Sequence, residues 1–342
     1  MRWIVALAAF AFFGFAQPAL ARPPAQATYT NPVLDADFPD PAVLRAPDGF
    51  YYAYATQTER AGKWVNIQVA RSHDLTHWQY VGDALPAKPS WATTTQDFWA
   101  PHVIRHGRRY IMYFSAKPNG TDERHGLCLG IATSTVPTGP FVDTGHPLVC
   151  GSGFVNIDPM EFDDPATGKH LLYWGSGFEP LQVQELGRDL VSFASGSKPK
   201  DLVWPAPGKK DFPVLIEGSW VLRHSGYYYL FYSGDNCCGP KANYAVMVAR
   251  SRSATGPFET KPQPIILQKS ARWIAPGHNS VVTDRKGQDW IVYHAVDVNR
   301  PREKPGDDLN TRRIMLIDRI EWRDGWPFIA GPSEHREPAP AP

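Results

Sequence analysis

The sequence predicts an all-β fold, a single five-bladed β-propeller, and three observations predict it. Amphipathic helical patterns are nearly absent over the 342 residues. Short aromatic-rich runs recur instead, each preceded by a polar turn, as expected of strands. A short motif ahead of each run returns at intervals close to 60 residues, the spacing of a multi-stranded propeller blade.

The runs are Phe50-Tyr-Tyr-Ala-Tyr54, Tyr110-Ile-Met-Tyr-Phe114, Leu171-Leu-Tyr-Trp174, Tyr227-Tyr-Tyr-Leu-Phe-Tyr232 and Trp290-Ile-Val-Tyr293. The turns before them are Pro47-Asp48-Gly49, Gly107-Arg108, Gly168-Lys169, Ser225-Gly226 and Lys286-Gly287. Aromatic residues suit a pleated, packed surface. Before each run lies a second short strand, starting at Asp40, Ala100, Asp158, Glu217 and His278, which are 60, 58, 59 and 61 residues apart. A looser echo supports the period: Ala132-Thr-Ser134 with Thr138-Gly-Pro-Phe141 is matched by Ala249-Arg-Ser251 with Thr255-Gly-Pro-Phe258.

Five such units fill residues 31–330 as one domain, with residues 310–329 expected to complete the ring. A propeller also leaves only short, protected sheet edges. Residues 22–30 are expected to be a linker. Residues 331–342, rich in Pro and Glu, are expected to be a disordered tail.

Residues 1–21 read as a signal peptide. Arg2 is followed by an uncharged apolar run over 3–16, and Ala19-Leu20-Ala21 fits a cleavage site. That run is shorter than the roughly 20 residues of a membrane span. The protein is therefore expected to be exported, periplasmic or extracellular, with no membrane association after cleavage. Export permits disulfides. Cys128 and Cys150 could pair across a hairpin, and adjacent Cys237 and Cys238 allow a vicinal disulfide or two thiols. No Cys-x-x-Cys supports a zinc or thioredoxin-type motif. The balance of 35 basic against 34 acidic residues gives no reason to expect nucleic acid or an anionic membrane as partner. The 13% aromatic content suits β packing and also sugar stacking.

The repeat gives the polar residues their meaning. Innermost strands line the central channel of a propeller, so the five strand starts face one space. Each acid alone reads as a turn residue, since Asp before Pro is common at strand starts. Three in register put Asp40, Asp158 and Glu217, with His278, around one cavity. Converging carboxylates repel and raise at least one pKa, which is what acid–base chemistry requires. Two carboxylates flanking a glycosidic bond suffice to hydrolyse it, one protonated and one ionised.

The chain resembles glycoside hydrolase family 43. The resemblance runs in order through Asn31-Pro-Val-Leu34, Phe38-Pro-Asp-Pro41, Trp99-Ala-Pro101, Asn156-Ile-Asp-Pro159, Ile216-Glu-Gly-Ser-Trp220, Gly277-His-Asn-Ser280, Arg313-Ile-Met-Leu316, and Trp322 with Gly325-Trp-Pro327. It implies an inverting mechanism with Asp40 as general base, Glu217 as general acid and Asp158 as the acid that modulates its pKa. It implies that His278 sits centrally and can hold a calcium ion, directly or through water, and that Arg313 reaches the substrate. Phe38, Trp99 and Trp174 are expected to bind sugar beside His278 and Arg313. No organic cofactor is expected.

Cys237-Cys238-Gly239, Tyr244 and Val248-Ala-Arg-Ser251 resemble arabinan-active members, which points to α-L-arabinofuranosyl linkages in arabinan or arabinoxylan. The alternatives are a β-xylosidase, disfavoured because no C-terminal β-sandwich follows, and an endo-1,5-α-L-arabinanase. From another class, a catalytically silent sugar-binding propeller has no need of three convergent acids. The substrate is expected to be an arabinose- or xylose-containing saccharide, and the protein a monomer.

Overall fold

The computed structural model describes residue 1 and residues 27–120, 126–175, 177–206, 212–304 and 311–342. The expected signal peptide falls almost wholly on residues outside this set. Five antiparallel sheets follow one another along the chain, each built in sequence order from the axis outward. Blade 1 comprises Ala42–Arg45, Tyr51–Ala55, Gln68–Ser72 and Trp78–Asp83. Blade 2 comprises Phe98–His106, Arg109–Ala116, Cys128–Ser134 and Val142–Asp143, with Val149–Cys150 also paired to its third strand. Blade 3 comprises Met160–Asp163, His170–Trp174, Leu181–Glu185 and Lys200–Val203. Blade 4 comprises Ile216–His224, Tyr227–Gly234, Ala245–Ser251 and Glu259–Leu267. Blade 5 comprises Trp273–Thr283, Asp289–Asp297, Ile314–Arg323 and Trp326–Ile329. The molecule is the all-β five-bladed propeller that the repeat predicts.

The aromatic runs form the second strands, and their near-continuous apolar character has a simple cause. Successive side chains point to opposite faces of a strand, and in a blade both faces are covered by neighbours. Tyr113 packs with Leu172 and Trp174 of blade 3, while Met112 and Phe114 pack with Tyr54 and Val69 of blade 1. Tyr173 and Val183 of blade 3 meet Val221 and Leu230 of blade 4. Phe231 and Val248 of blade 4 meet Tyr293 and Leu316 of blade 5. Val292 and Ile317 of blade 5 meet Val43 and Ala53 of blade 1, closing the ring.

That closure is reinforced by the segment leading into blade 1. The Asn31 amide donates to Ile317 O at 2.9 Å and accepts from Ile317 N at 3.0 Å. Phe38 N donates to Arg313 O at 2.7 Å. The two ends of the domain differ from expectation. Glu337–Pro338 pairs antiparallel with Thr28–Tyr29, so the presumed linker and the presumed disordered tail form a two-stranded clasp. Composition misled here because a two-residue edge pairing tolerates a proline, and because other residues tie the tail down. Trp273 Nε1 donates to Ser333 O at 3.1 Å, and Ser270 Oγ donates to the Glu334 carboxylate. Cys128 and Cys150 are direct cross-strand partners and form a disulfide, and Cys237 and Cys238 form a vicinal one.

Candidate active site

The feature that organises the axis is a left-handed backbone residue at the head of every blade. Asp40, Ala100, Asp158, Gly218 and His278 have φ of 57°, 45°, 59°, 68° and 45°. They are spaced 60, 58, 60 and 60 residues apart. For a residue with a Cβ this conformation costs roughly 1–2 kcal/mol, so something must hold it. In four junctions the holder is a side chain from the end of the preceding blade's second strand, which accepts the strained residue's N–H. Ala100 N donates to Thr56 Oγ1 at 2.8 Å, Asp158 N to Ser115 Oγ at 2.9 Å, His278 N to Ser233 Oγ at 2.8 Å and Asp40 N to His294 Nδ1 at 3.1 Å. At the remaining junction Gly218 N donates to Asp158 Oδ2 at 3.0 Å.

This register corrects the one read from the sequence. The blade 4 residue equivalent to Asp40 and Asp158 is Gly218, and Glu217 stands one position earlier, in the slot of Pro39, Trp99, Ile157 and Gly277. A β-bulge between Glu217 and Trp220 accompanies the shift, as between Trp99 and His102 in blade 2. Bulges re-aim side chains, and Glu217 still reaches the cavity. A cleft of about 540 Å³ at the mouth of the ring is lined by Asp40, Asp158, Glu217, His278, Trp99 and Arg313, among others.

Asp40 is held by several neighbours. Its Oδ1 lies 2.9 Å from Arg313 Nη1, 3.2 Å from His294 Nδ1 and 3.5 Å from His278 Nδ1. Its Oδ2 accepts from Thr56 Oγ1 at 2.5 Å. Burial alone disfavours its charge, but Arg313, then His278 and His294, overcome that cost and hold Asp40 well below the usual carboxylate range. Asp158 goes the other way. Burial, then the charges of Glu217 and Asp40, push its pKa well above the ordinary value. Glu217 Oε1 accepts from Tyr244 OH at 2.7 Å. Burial, then the Glu217 charge, keeps that phenol protonated as a donor. Tyr244 fits only because residue 277 is glycine, where a Cβ would lie 2.0 Å from the Tyr244 ring. The arrangement can hold one carboxylate, Asp40, ionised opposite an acid, Asp158, that retains its proton.

The sequence placed Asp40, Asp158, Glu217, His278, Arg313 and Trp99 here, and the structure brings all six into one cleft. Trp99 stacks on Phe154 at 6.2 Å. Phe38 and Trp174 do not belong to the site. Phe38 is 0% exposed in the core between blades 5 and 1, and Trp174, 2% exposed, packs between blades 2 and 3 with Nε1 donating to Asn156 Oδ1. An aromatic residue beside a motif suggests a sugar platform, whereas both of these side chains are buried in the packing between blades. The sequence reading missed His294, buried and with its pKa lowered to about 4 by burial. Its signal is the latch position, filled by Thr56, Ser115 and Ser233 in other blades. Also missed were Asp37, which accepts from Thr58 Oγ1 and Arg313 N, and the cleft-lining Trp64 and Phe154.

Calcium takes six to eight oxygen ligands. The Nδ1 of His278 faces Asp40, already bound by Arg313, at 3.5 Å and Asp158 at 3.7 Å. These side chains do not make an oxygen cage, so an ion there would be carried by one imidazole and water.

Comparison with known proteins agrees with this geometry. A beta-D-galactofuranosidase of Aspergillus niger is 31% identical over 313 residues, covering 86% of this chain and 82% of its own. An extracellular exo-alpha-(1->5)-L-arabinofuranosidase of Cellvibrio japonicus is 25% identical, covering 86% of each. The crystal structure of a thermostable family-43 glycoside hydrolase superposes with a TM-score of 0.75 at 29% identity, over 92% of this chain and all of that one. The sequence profile of glycosyl hydrolases family 43 matches residues 29–327, and the chain, a glycosidase, belongs to that family.

Proposed function

We propose that the protein is an exported, inverting, exo-acting α-L-arabinofuranosidase that trims arabinose from arabinan or arabinoxylan. The observation that carries the mechanism is the opposite electrostatic bias of Asp40 and Asp158 within one cleft. Asp40, ionised through neutral and mildly acidic pH, takes a proton from water as that water attacks the anomeric carbon. Glu217 gives a proton to the departing sugar oxygen. Asp158 is a positioning residue. The Glu217 charge helps to keep it protonated, and it anchors blade 4 through Gly218 N. Arg313 holds Asp40 ionised and in place.

The furanoside preference is supported by two furanosidases among the relatives, and export by extracellular relatives together with the N-terminal sequence. Aryl α-L-arabinofuranoside, aryl β-D-galactofuranoside, aryl β-D-xyloside and debranched arabinan, assayed in parallel, test the reading. The arabinofuranoside should give the highest kcat/KM, with arabinose as the sole early product from arabinan. A higher kcat/KM on the galactofuranoside would favour the second reading, which the 31% identical relative motivates. Early oligosaccharides from arabinan would point to endo action, and hydrolysis of the xyloside alone would overturn the proposal.

A further inference from the structure

Because the blades repeat, a blade that breaks the pattern is visible. Three residues past each left-handed position, four blades carry valine: Val43, Val103, Val221 and Val281. Blade 3 carries Glu161. Two residues further on, blades 1, 2 and 4 carry Arg45, Arg105 and Arg223, each directly opposite a tyrosine on the second strand: Tyr51, Tyr110 and Tyr228. Blade 3 carries Asp163 opposite His170. A Val/Arg/Tyr trio has become Glu/Asp/His, three metal-ligand types at once.

The three side chains meet. Their ligand atoms all lie within 4.8 Å of one another. His170 Nδ1 contacts Asp163 Oδ1 and stands 3.6 Å from Glu161 Oε1. Glu161 is 4% exposed, and its Oε1 is buried with no hydrogen-bond partner. Buried polar atoms without partners are rare in native structures and call for an explanation, an ion among them. Asp163 is largely exposed, which gives an ion a route in.

We propose that Glu161, Asp163 and His170 bind a divalent transition-metal cation, with zinc as the best-matched ion. One imidazole nitrogen and two carboxylate oxygens, with a water as fourth ligand, form a four-coordinate zinc set. Calcium and magnesium, which prefer more or exclusively oxygen donors, fit it worse. The site's two inner-strand ligands, Glu161 and Asp163, lie three and five residues beyond Asp158, roughly 10 and 16 Å at about 3.3 Å per residue. It therefore fastens the inner and second strands of blade 3 and takes no part in hydrolysis.

The test uses the full chain after export processing, stripped with EDTA and titrated with zinc chloride by calorimetry, with calcium chloride in parallel and melting temperature followed by scanning. One zinc should bind with micromolar or tighter affinity and raise the melting temperature. Glu161→Val, which restores the residue of the other blades, and His170→Gln should each weaken zinc binding at least tenfold. Both should keep wild-type hydrolytic activity. His170→Gln decides the matter if the valine variant does not fold. The proposal is overturned if the stripped protein takes up no zinc. It is equally overturned if both variants bind it as wild type does, or if calcium binds the Glu161 site as tightly as zinc.

Discussion

Arg313 sets the charge of Asp40, and that makes a signed pH prediction possible. Its guanidinium 2.9 Å from Oδ1 favours the carboxylate over the acid. In Arg313→Met that support is lost while burial remains, so the Asp40 pKa rises toward the ordinary carboxylate value. Activity that depends on ionised Asp40 then fails at higher pH. The acidic limb of kcat/KM should move upward by at least one pH unit, and a limb that stays in place would remove Asp40 from the role of base. Glu217 carries a second prediction. Glu217→Ala should reduce turnover about 10²–10⁴-fold on natural linkages, and much less on aryl glycosides whose acidic phenols leave unassisted. Asp40→Ala should be severe on both. Equal losses for Glu217→Ala across phenols of low and high pKa would sink its assignment as acid. Asp40 and Asp158 were legible because carboxylates at a blade period have few structural explanations, and Glu217, one position off the equivalent residue, stood close enough to it to be read with them. The aromatics Trp64 and Phe154 that line the cleft were not. Trp64 and Phe154, 55% and 57% exposed, lie outside the repeated strands, so no period marks them.

Among the elements, inner and second strands were readable because burial on two faces forces long apolar runs. Outer strands were not, because each has a solvated face and irregular ends. Trp78–Asp83 carries no fully buried residue, and Glu259–Leu267 includes Pro264, tolerable only at a sheet edge. The N- and C-terminal clasp was hidden for a different reason: its stability comes from partners almost three hundred residues away. Tyr29 OH donates to Ile317 O and Asn31 Nδ2 to Ser333 Oγ, both buried. Removing residues 333–342 strands the Trp273 and Asn31 donors, and each buried unsatisfied group costs about 1–3 kcal/mol. The melting temperature should fall by roughly 5 °C or more, while kcat/KM at 25 °C stays near wild type, since no tail residue lines the cleft. An unchanged melting temperature would show that the clasp contributes nothing.

At the scale of the whole ring, blade order decides which acids are neighbours, and neighbours decide stereochemistry. Asp158 and Glu217 come from adjacent blades 3 and 4, and their charges act on each other. Asp40 comes from blade 1, which meets blade 4 only across blade 5, and His278 of blade 5 stands 3.5 Å from it. The inverting reading requires room between this base and this acid for a sugar and an attacking water. Inverting pairs lie about 6.5–9.5 Å apart, whereas retaining pairs, which need direct attack by the second carboxylate, lie about 5–5.5 Å apart. The contacts of Asp40 also explain why no covalent intermediate is expected on it: Arg313 donates to one of its oxygens and Thr56 to the other, which favours a stable anion over a nucleophile that must turn toward carbon. Hydrolysis of an aryl α-L-arabinofuranoside, followed by proton NMR from the first seconds, should therefore give β-arabinofuranose before mutarotation. An α-configured first product would mean that a carboxylate attacks the sugar directly, and the assignment of Asp40 as the base that activates water would fall with it.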